Sequence, residues 1–232
     1  MSFVITPPDR TALPVAGTNK LFPVRRVYCI GRNYAAHAIE MGHDPNREPP
    51  FFFCKPADAL RHIDSNKLTA IPYPPKTSNL HYEVEMVVAI GKGGVNIPEN
   101  EAMEYVYGYA VGLDLTRRDR QQEMKDLARP WELGKAFDAS APISTVVTAD
   151  SVGAINNFRI TLEQNGELKQ SGNTNQMIWS VSGAISYLSE YFRLEAGDLI
   201  FTGTPDGVGP AVAGDILKAS LQDVGSFSIK LI

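Results

Sequence analysis

The stretch "HYEVEMVVAI", His81 to Ile90, reads as a buried strand except for two carboxylates, Glu83 and Glu85. Side chains two apart in a strand point to the same face. Val84, Met86 and Val88 then share one face, while Glu83 and Glu85 stand together on the other. Two ionised carboxylates held that close repel each other, and removal from water raises the cost. A hard divalent cation is the simplest compensation, because oxygen ligands suit Mg²⁺, Mn²⁺ or Ca²⁺. Such an ion calls for a third carboxylate at the end of a neighbouring strand, and Asp114 closes the apolar run of "VYGYAVGLDLTRRD". The same letters also fit a solvent-facing strand edge for the glutamates and a helix cap or turn former for the aspartate. Zinc is disfavoured, since no Cys/His ligand spacing occurs.

Three other clusters carry possible chemistry. In "GRNYAAHAIEMG", His37 and Glu40 are three apart, so a helix puts them on one face. Glu40 there can orient the imidazole, leaving its other nitrogen to deprotonate a water; a surface His/Glu pair has the same spacing. In "PWELGKAFD", Lys135 sits among Trp131 and Phe137, where a partly desolvated ammonium would stabilise a developing oxyanion. A surface lysine is the alternative. In "FTGTPDGVGP", glycines 203, 207 and 209 with prolines 205 and 210 make a rigid loop whose backbone N–H groups could bind a carboxylate. It lacks the ending of a phosphate-binding P-loop.

The elements that must position these residues are mostly short strands. Strands are predicted over 26–30, 51–54, 68–71, 82–90, 105–114, 157–164, 198–202, 215–220 and 226–231. Asn165-Gly166 in "EQNGEL" marks a tight hairpin. Helices are fewer. One is expected over Tyr34–Met41, with Gly42 as its C-terminal cap. A second runs through "RRDRQQEMKDLA" with Thr116 as N-cap and Pro130 following. A third lies in "NQMIWSVSGAISYLSEYF", where Met177, Ile178, Val181, Ile185 and Leu188 recur at helical spacing. The fold class is therefore mainly β with a few helices.

Composition agrees with an enzyme of ordinary type. The 232 residues are 44% hydrophobic and 21% charged, enough for a sizeable core. A net charge of -4 offers no basic patch for nucleic acid or an anionic membrane, and no apolar run is long enough to span a bilayer. "MSFVITPPDR" does not read as a signal peptide. Cys29 and Cys54 lie in apolar strand-like runs, where buried thiols are expected, and no disulfide framework is indicated. A reducing cytoplasm is the expected location.

Taken in order, "GRNYAAHAIE", "FFFCKPADAL", "NLHYEVEMVVAIG", "GYAVGLDLTRRDRQ", "PWELGKAFDASAPIS" and "LIFTGTPDGVGP" resemble the fumarylacetoacetate hydrolase family. The resemblance covers roughly residues 23 to 232, leaving 1–22 as an N-terminal extension to the catalytic domain. It implies a mixed β-roll or β-sandwich, a homodimer, and Mg²⁺ or Mn²⁺ held by Glu83, Glu85 and Asp114. It implies further that His37 and Glu40 activate water and that Lys135 lies near the reacting carbonyl. Lys55, Arg118, Gln121 and Thr204 match positions that contact an acylpyruvate or its carboxylate. Within the family the chain is most similar to bacterial members that cleave fumarylpyruvate in the gentisate pathway. The implied reaction is hydrolysis of a carbon–carbon bond in a small anionic oxo-acid. The same metal-enolate chemistry also decarboxylates or isomerises oxaloacetate and related oxo-diacids.

Overall fold

The computed structural model describes residues 3–35 and 49–232. The stretch carrying His37, Glu40 and most of the helix expected from Tyr34 onward lies outside them. Two sheets form the body. The larger has the order Phe51–Lys55, Val27–Gly31, Leu199–Phe201, Val84–Ile90, Val106–Leu113, Ala141–Ile143, Leu60–His62. It is mixed: Leu199–Phe201 runs parallel to Val27–Gly31 and antiparallel to Val84–Ile90. The second sheet has the order Glu167–Asn173, Arg159–Gln164, Ile216–Leu221, Gly225–Leu231, Leu68–Ile71. The expected hairpin is present, with Asn165 and Gly166 both at positive φ. The fold is thus mainly β with a few helices.

The Val84–Ile90 strand is buried along its whole length because both of its faces meet apolar cores. Val84, Met86, Val88 and Ile90 enter the larger core, which also takes in the second sheet and the helix Val181–Tyr191. Val87 and Ala89 enter a smaller core with Cys29, Leu199 and Phe201. Leu13, Val15, Phe22 and Val24 line that smaller core, so residues 12–24, including the hairpin Ala12–Pro14/Leu21–Pro23, pack on the large sheet.

Several elements differ from the sequence reading, each for a local reason. The strand expected over 82–90 is split at Glu83. Leu80–Tyr82 turns away to pair with Thr116–Arg117 and Gly209–Ala211 in a small third sheet. Thr116 consequently sits in a strand, and the helix Arg118–Asp126 starts after Arg117 without a side-chain cap. The third helix begins later than its apolar spacing suggests, because Ser180 caps it by accepting from the Gly183 N–H at 3.0 Å. Met177 instead bridges to Tyr34. Cys29 is buried as expected, but Cys54 is exposed, since its strand forms the sheet edge.

Asn33 ties the end of one central strand to its neighbours. Its amide donates to the Thr202 and Trp179 carbonyls, both at 2.9 Å, and accepts from the Trp179 N–H at 2.7 Å. Asn33 is 1% exposed, so removing the amide strands buried backbone groups at about 1–3 kcal/mol apiece. Asn33→Ala is predicted to lower the thermal midpoint by about 5 °C or more for a chain of this size. Calorimetry checks this, and an unchanged midpoint would show that these bonds contribute nothing net.

Candidate metal and substrate site

Glu83, Glu85 and Asp114 converge where two antiparallel central strands end. Val84 pairs with Leu113 in register, so the residues beside that pair are brought to one point, and the Asp114 N–H donates to the Glu83 carbonyl at 2.8 Å. One oxygen from each carboxylate lies within 4.8 Å of the other two, and all three residues are buried. At that separation two anions in protein repel by about 3–4 kcal/mol at an effective dielectric near 20. Nothing in this arrangement resembles the solvent-facing edge that the letters alone also allowed.

Three cations among the described residues answer the charge. The Lys135 ammonium donates to Glu83 Oε2 at 2.7 Å, Asp114 Oδ2 at 2.6 Å and Thr116 Oγ1 at 2.7 Å. Arg118 donates to Glu83 Oε1 and, through its other nitrogen, to Gln121 Oε1 at 2.6 Å. Lys55 lies 2.9 Å from Asp114 Oδ1 and donates to the carbonyls of Leu115, at 3.3 Å, and Lys135. Burial works against the Lys135 ammonium, yet Asp114 and Glu83 outweigh it and hold its pKa above the ordinary lysine value.

Glu85 is treated differently. Its Oε2 accepts from the Gly203 backbone N–H at 2.7 Å, and none of the three cations pairs with it directly. Burial, then the charges of Asp114 and Glu83, push its pKa well above the usual carboxylate range. A bound cation is the natural partner for that site. Ligand oxygens about 2.1 Å from an octahedral ion lie about 3.0–4.2 Å apart, close to the spacing found here. The donor set is entirely oxygen, so it fits Mg²⁺ or Mn²⁺ and not a soft metal.

The cleft over the carboxylates is lined by Arg118, Gln121, Lys135 and Thr204 among others. Of the expected residues, Glu83, Glu85, Asp114, Arg118, Gln121, Lys135 and Thr204 are thus brought together, Lys55 is not in the cleft, and His37 and Glu40 lie outside the described residues. Lys55 has a fully buried side chain behind Asp114 and does not line the cleft. Lys135 lines it, but all three of its N–H groups already have acceptors. Thr204 accepts from Gln170 Nε2 at 2.9 Å, which leaves its hydroxyl proton for a ligand.

Sequence reading missed Gln170, and it gave the loop of Gly203 a carboxylate-binding backbone without identifying Glu85 as the acceptor. Gln170 is fully buried, accepts from the Val84 N–H at 3.0 Å and donates to Thr204 and to the Pro205 carbonyl, both at 2.9 Å. No local signal separates it from an ordinary strand glutamine in "ELKQSGN". Gly203 does leave a trace, as one of the loop glycines. Its φ of +91° and its packing, with an added Cβ only 2.7 Å from Asn33 Cβ, both require glycine.

Comparison with known proteins agrees with this geometry. The profile for the family described as "Fumarylacetoacetate (FAA) hydrolase C-terminal" matches residues 26–231. The crystal structure of fumarylpyruvate hydrolase from Pseudomonas aeruginosa in complex with Mn²⁺ and pyruvate superposes with a TM-score of 0.98 at 50% identity. That match covers 100% of this chain and 99% of the other. Fumarylpyruvate hydrolase of Ralstonia sp is 44% identical over 186 residues, 80% of this chain and 94% of the relative. The mitochondrial oxaloacetate tautomerase FAHD1 of Mus musculus is also 44% identical, over 207 residues, 89% of this chain and 91% of the relative. On sequence and on fold, the chain belongs to the fumarylacetoacetate hydrolase family.

Proposed function

We propose that this chain is a divalent-metal-dependent hydrolase of acylpyruvates that cleaves fumarylpyruvate to fumarate and pyruvate. The observation that carries the reading is the buried Glu83/Glu85/Asp114 cluster at the base of a cleft lined with cations. The near-complete likeness to a fumarylpyruvate hydrolase whose structure contains Mn²⁺ and pyruvate supports it. Glu83, Glu85 and Asp114 would hold Mg²⁺ or Mn²⁺, which would supply Lewis acidity at the pyruvoyl end of the substrate.

The chain's own residues do the rest. Arg118, Gln121 and Thr204 orient the pyruvoyl carboxylate and exclude water from that end. Lys55 acts from behind, holding Asp114 in place. His37, oriented by Glu40, takes a proton from the water that attacks the distal acyl carbonyl. Lys135 turns one of its N–H groups to the oxygen that gains charge. Breaking the carbon–carbon bond then leaves the electron pair on the pyruvate enolate, and return of the proton held by His37 to C3 gives pyruvate. In the cell we place the protein in the cytoplasm, as a homodimer in aromatic catabolism through gentisate.

A second reading is tautomerisation or decarboxylation of oxaloacetate at the same site. Equal identity to a tautomerase and to a hydrolase favours keeping it. Neither alternative consumes an attacking water, but both move a proton, so His37 does not separate the readings and relative turnover of fumarylpyruvate and oxaloacetate does.

Purified protein is predicted to cleave fumarylpyruvate with Mg²⁺ or Mn²⁺ and to lose that activity in EDTA, with restoration on adding metal back. Much faster turnover of oxaloacetate would overturn the hydrolase assignment. His37→Ala should lower hydrolysis by about 10²–10⁴-fold while Mn²⁺ still binds, as titration calorimetry would report. Glu85→Ala should abolish both Mn²⁺ uptake and turnover; full activity in that variant on every oxo-acid tried would refute metal-assisted catalysis.

A further inference from the structure

A buried hydroxyl near the carboxylates takes no part in the chemistry above. Of the buried side-chain polar atoms without a hydrogen-bond partner among the described residues, Tyr34 Oη is the one hydroxyl. Tyr34 is 2% exposed, so bulk solvent does not supply the missing partner. A hydroxyl rotates to suit its surroundings and can both donate and accept, which makes it easy to satisfy. Phenylalanine would fill the same space with no polar group to desolvate. An orphaned phenol therefore points to a partner that the protein chain does not itself contain.

The backbone around Tyr34 says where that partner lies. The Asn33 carbonyl accepts from the Ile178 N–H at 2.8 Å, and Tyr34 itself pairs with Met177, so the residue is held in place. Asn33 also packs on Gly203, where an added Cβ would meet the Asn33 nitrogen at 3.3 Å. Gly203 is the residue whose N–H holds Glu85 Oε2. The segment carrying Tyr34 is thus pressed against the segment that fixes Glu85. Burial, and then the negative charge of Glu85, hold the Tyr34 pKa above the ordinary tyrosine value, so the phenol keeps its proton to donate. Lys55, Lys135 and Arg118 gather on Glu83 and Asp114 instead, and leave the Glu85 side of the cluster without a side-chain donor among them.

We infer that Tyr34 is a positioning residue for the divalent ion, its hydroxyl donating to an oxygen of the ion's ligand shell on the Glu85 side. This rests on the metal-dependent reading above. The acceptor is either the Glu85 carboxylate or a water coordinated beside it, and the same donor suits both. Groups that hold metal ligands from behind fix their orientation and tighten the site. Tyr34 would do this for the one carboxylate that the three cations do not pair with directly.

Tyr34→Phe removes the hydroxyl and keeps the ring. Titration calorimetry with Mn²⁺ should give a Kd raised about tenfold or more in this variant. Without metal the variant should melt no lower than wild type, because the hydroxyl it loses had no protein partner. The rise in thermal midpoint at a fixed Mn²⁺ concentration should then be smaller in the variant. A merely structural phenol gives the opposite pattern, with a lower midpoint in the metal-free protein and the same affinity. Water proton relaxation of the Mn²⁺-loaded proteins identifies the acceptor: altered water exchange in the variant assigns a coordinated water, and unchanged exchange assigns Glu85. Equal Mn²⁺ affinity in wild type and Tyr34→Phe would overturn the inference and leave the metal-dependent reading standing. If wild type takes up no Mn²⁺, that reading fails and the inference falls with it.

Discussion

Three carboxylates held together away from water constrain everything around them. Repulsion of about 3–4 kcal/mol per pair, on top of lost hydration, must be offset locally or the groups will protonate or the strands part. The protein offsets it with directed bonds. Lys135 spans Glu83 and Asp114, Arg118 holds the far oxygen of Glu83, and Lys55 closes on Asp114 from behind. At distances near 2.7 Å each such attraction is worth about 6 kcal/mol on the same scale, so pairing wins over repulsion. Among the described residues Glu85 has only a backbone donor, which leaves it suited to a metal ion.

The fold serves this arrangement by making the central strands rigid. Cores on both faces of Val84–Ile90 leave that strand no freedom to slide, since a one-residue slip would exchange Met86 and Val88 for Glu85 and Val87. Pairing of Val84 with Leu113 then fixes where Asp114 falls. The helix Arg118–Asp126 follows at once and delivers Arg118 and Gln121, while the short helix Glu132–Lys135 turns Lys135 back over the carboxylates. Asp114, Arg118, Gln121 and Lys135 thus reach one cleft from a single stretch of chain, residues 114–135.

Much of this was legible in the letters because it follows from short-range rules. Paired glutamates in an apolar strand, an aspartate at the end of the next, and Asn-Gly in a hairpin each have a local physical reason. The break at Glu83 did not, because it comes from Leu80–Tyr82 finding partners at Thr116 and Pro210, far along the chain. For the same reason Thr116 read as a helix cap, whereas its hydroxyl receives the Lys135 ammonium. Lys55 matched a ligand-contacting position in sequence, but its burial depends on the packing of Asp114 and Leu115 around it. Gln170 was invisible, since nothing in a strand's alternation distinguishes an inward amide with three partners from an outward one.

Gln170 has a consequence for how such a site can diversify. A single amide clamps the first residue of the ligand-bearing strand to Thr204 and Pro205, so it acts as a fixed gauge between scaffold and loop. Beyond that gauge only the tip Asp206–Val208 lies outside the sheets, because Gly209–Ala211 pairs with Leu80–Tyr82, and glycine must stay at 207, where the Lys169 carbonyl leaves no room for a Cβ. The tip can therefore change length or composition while the oxygens of Glu83, Glu85 and Asp114 keep their positions.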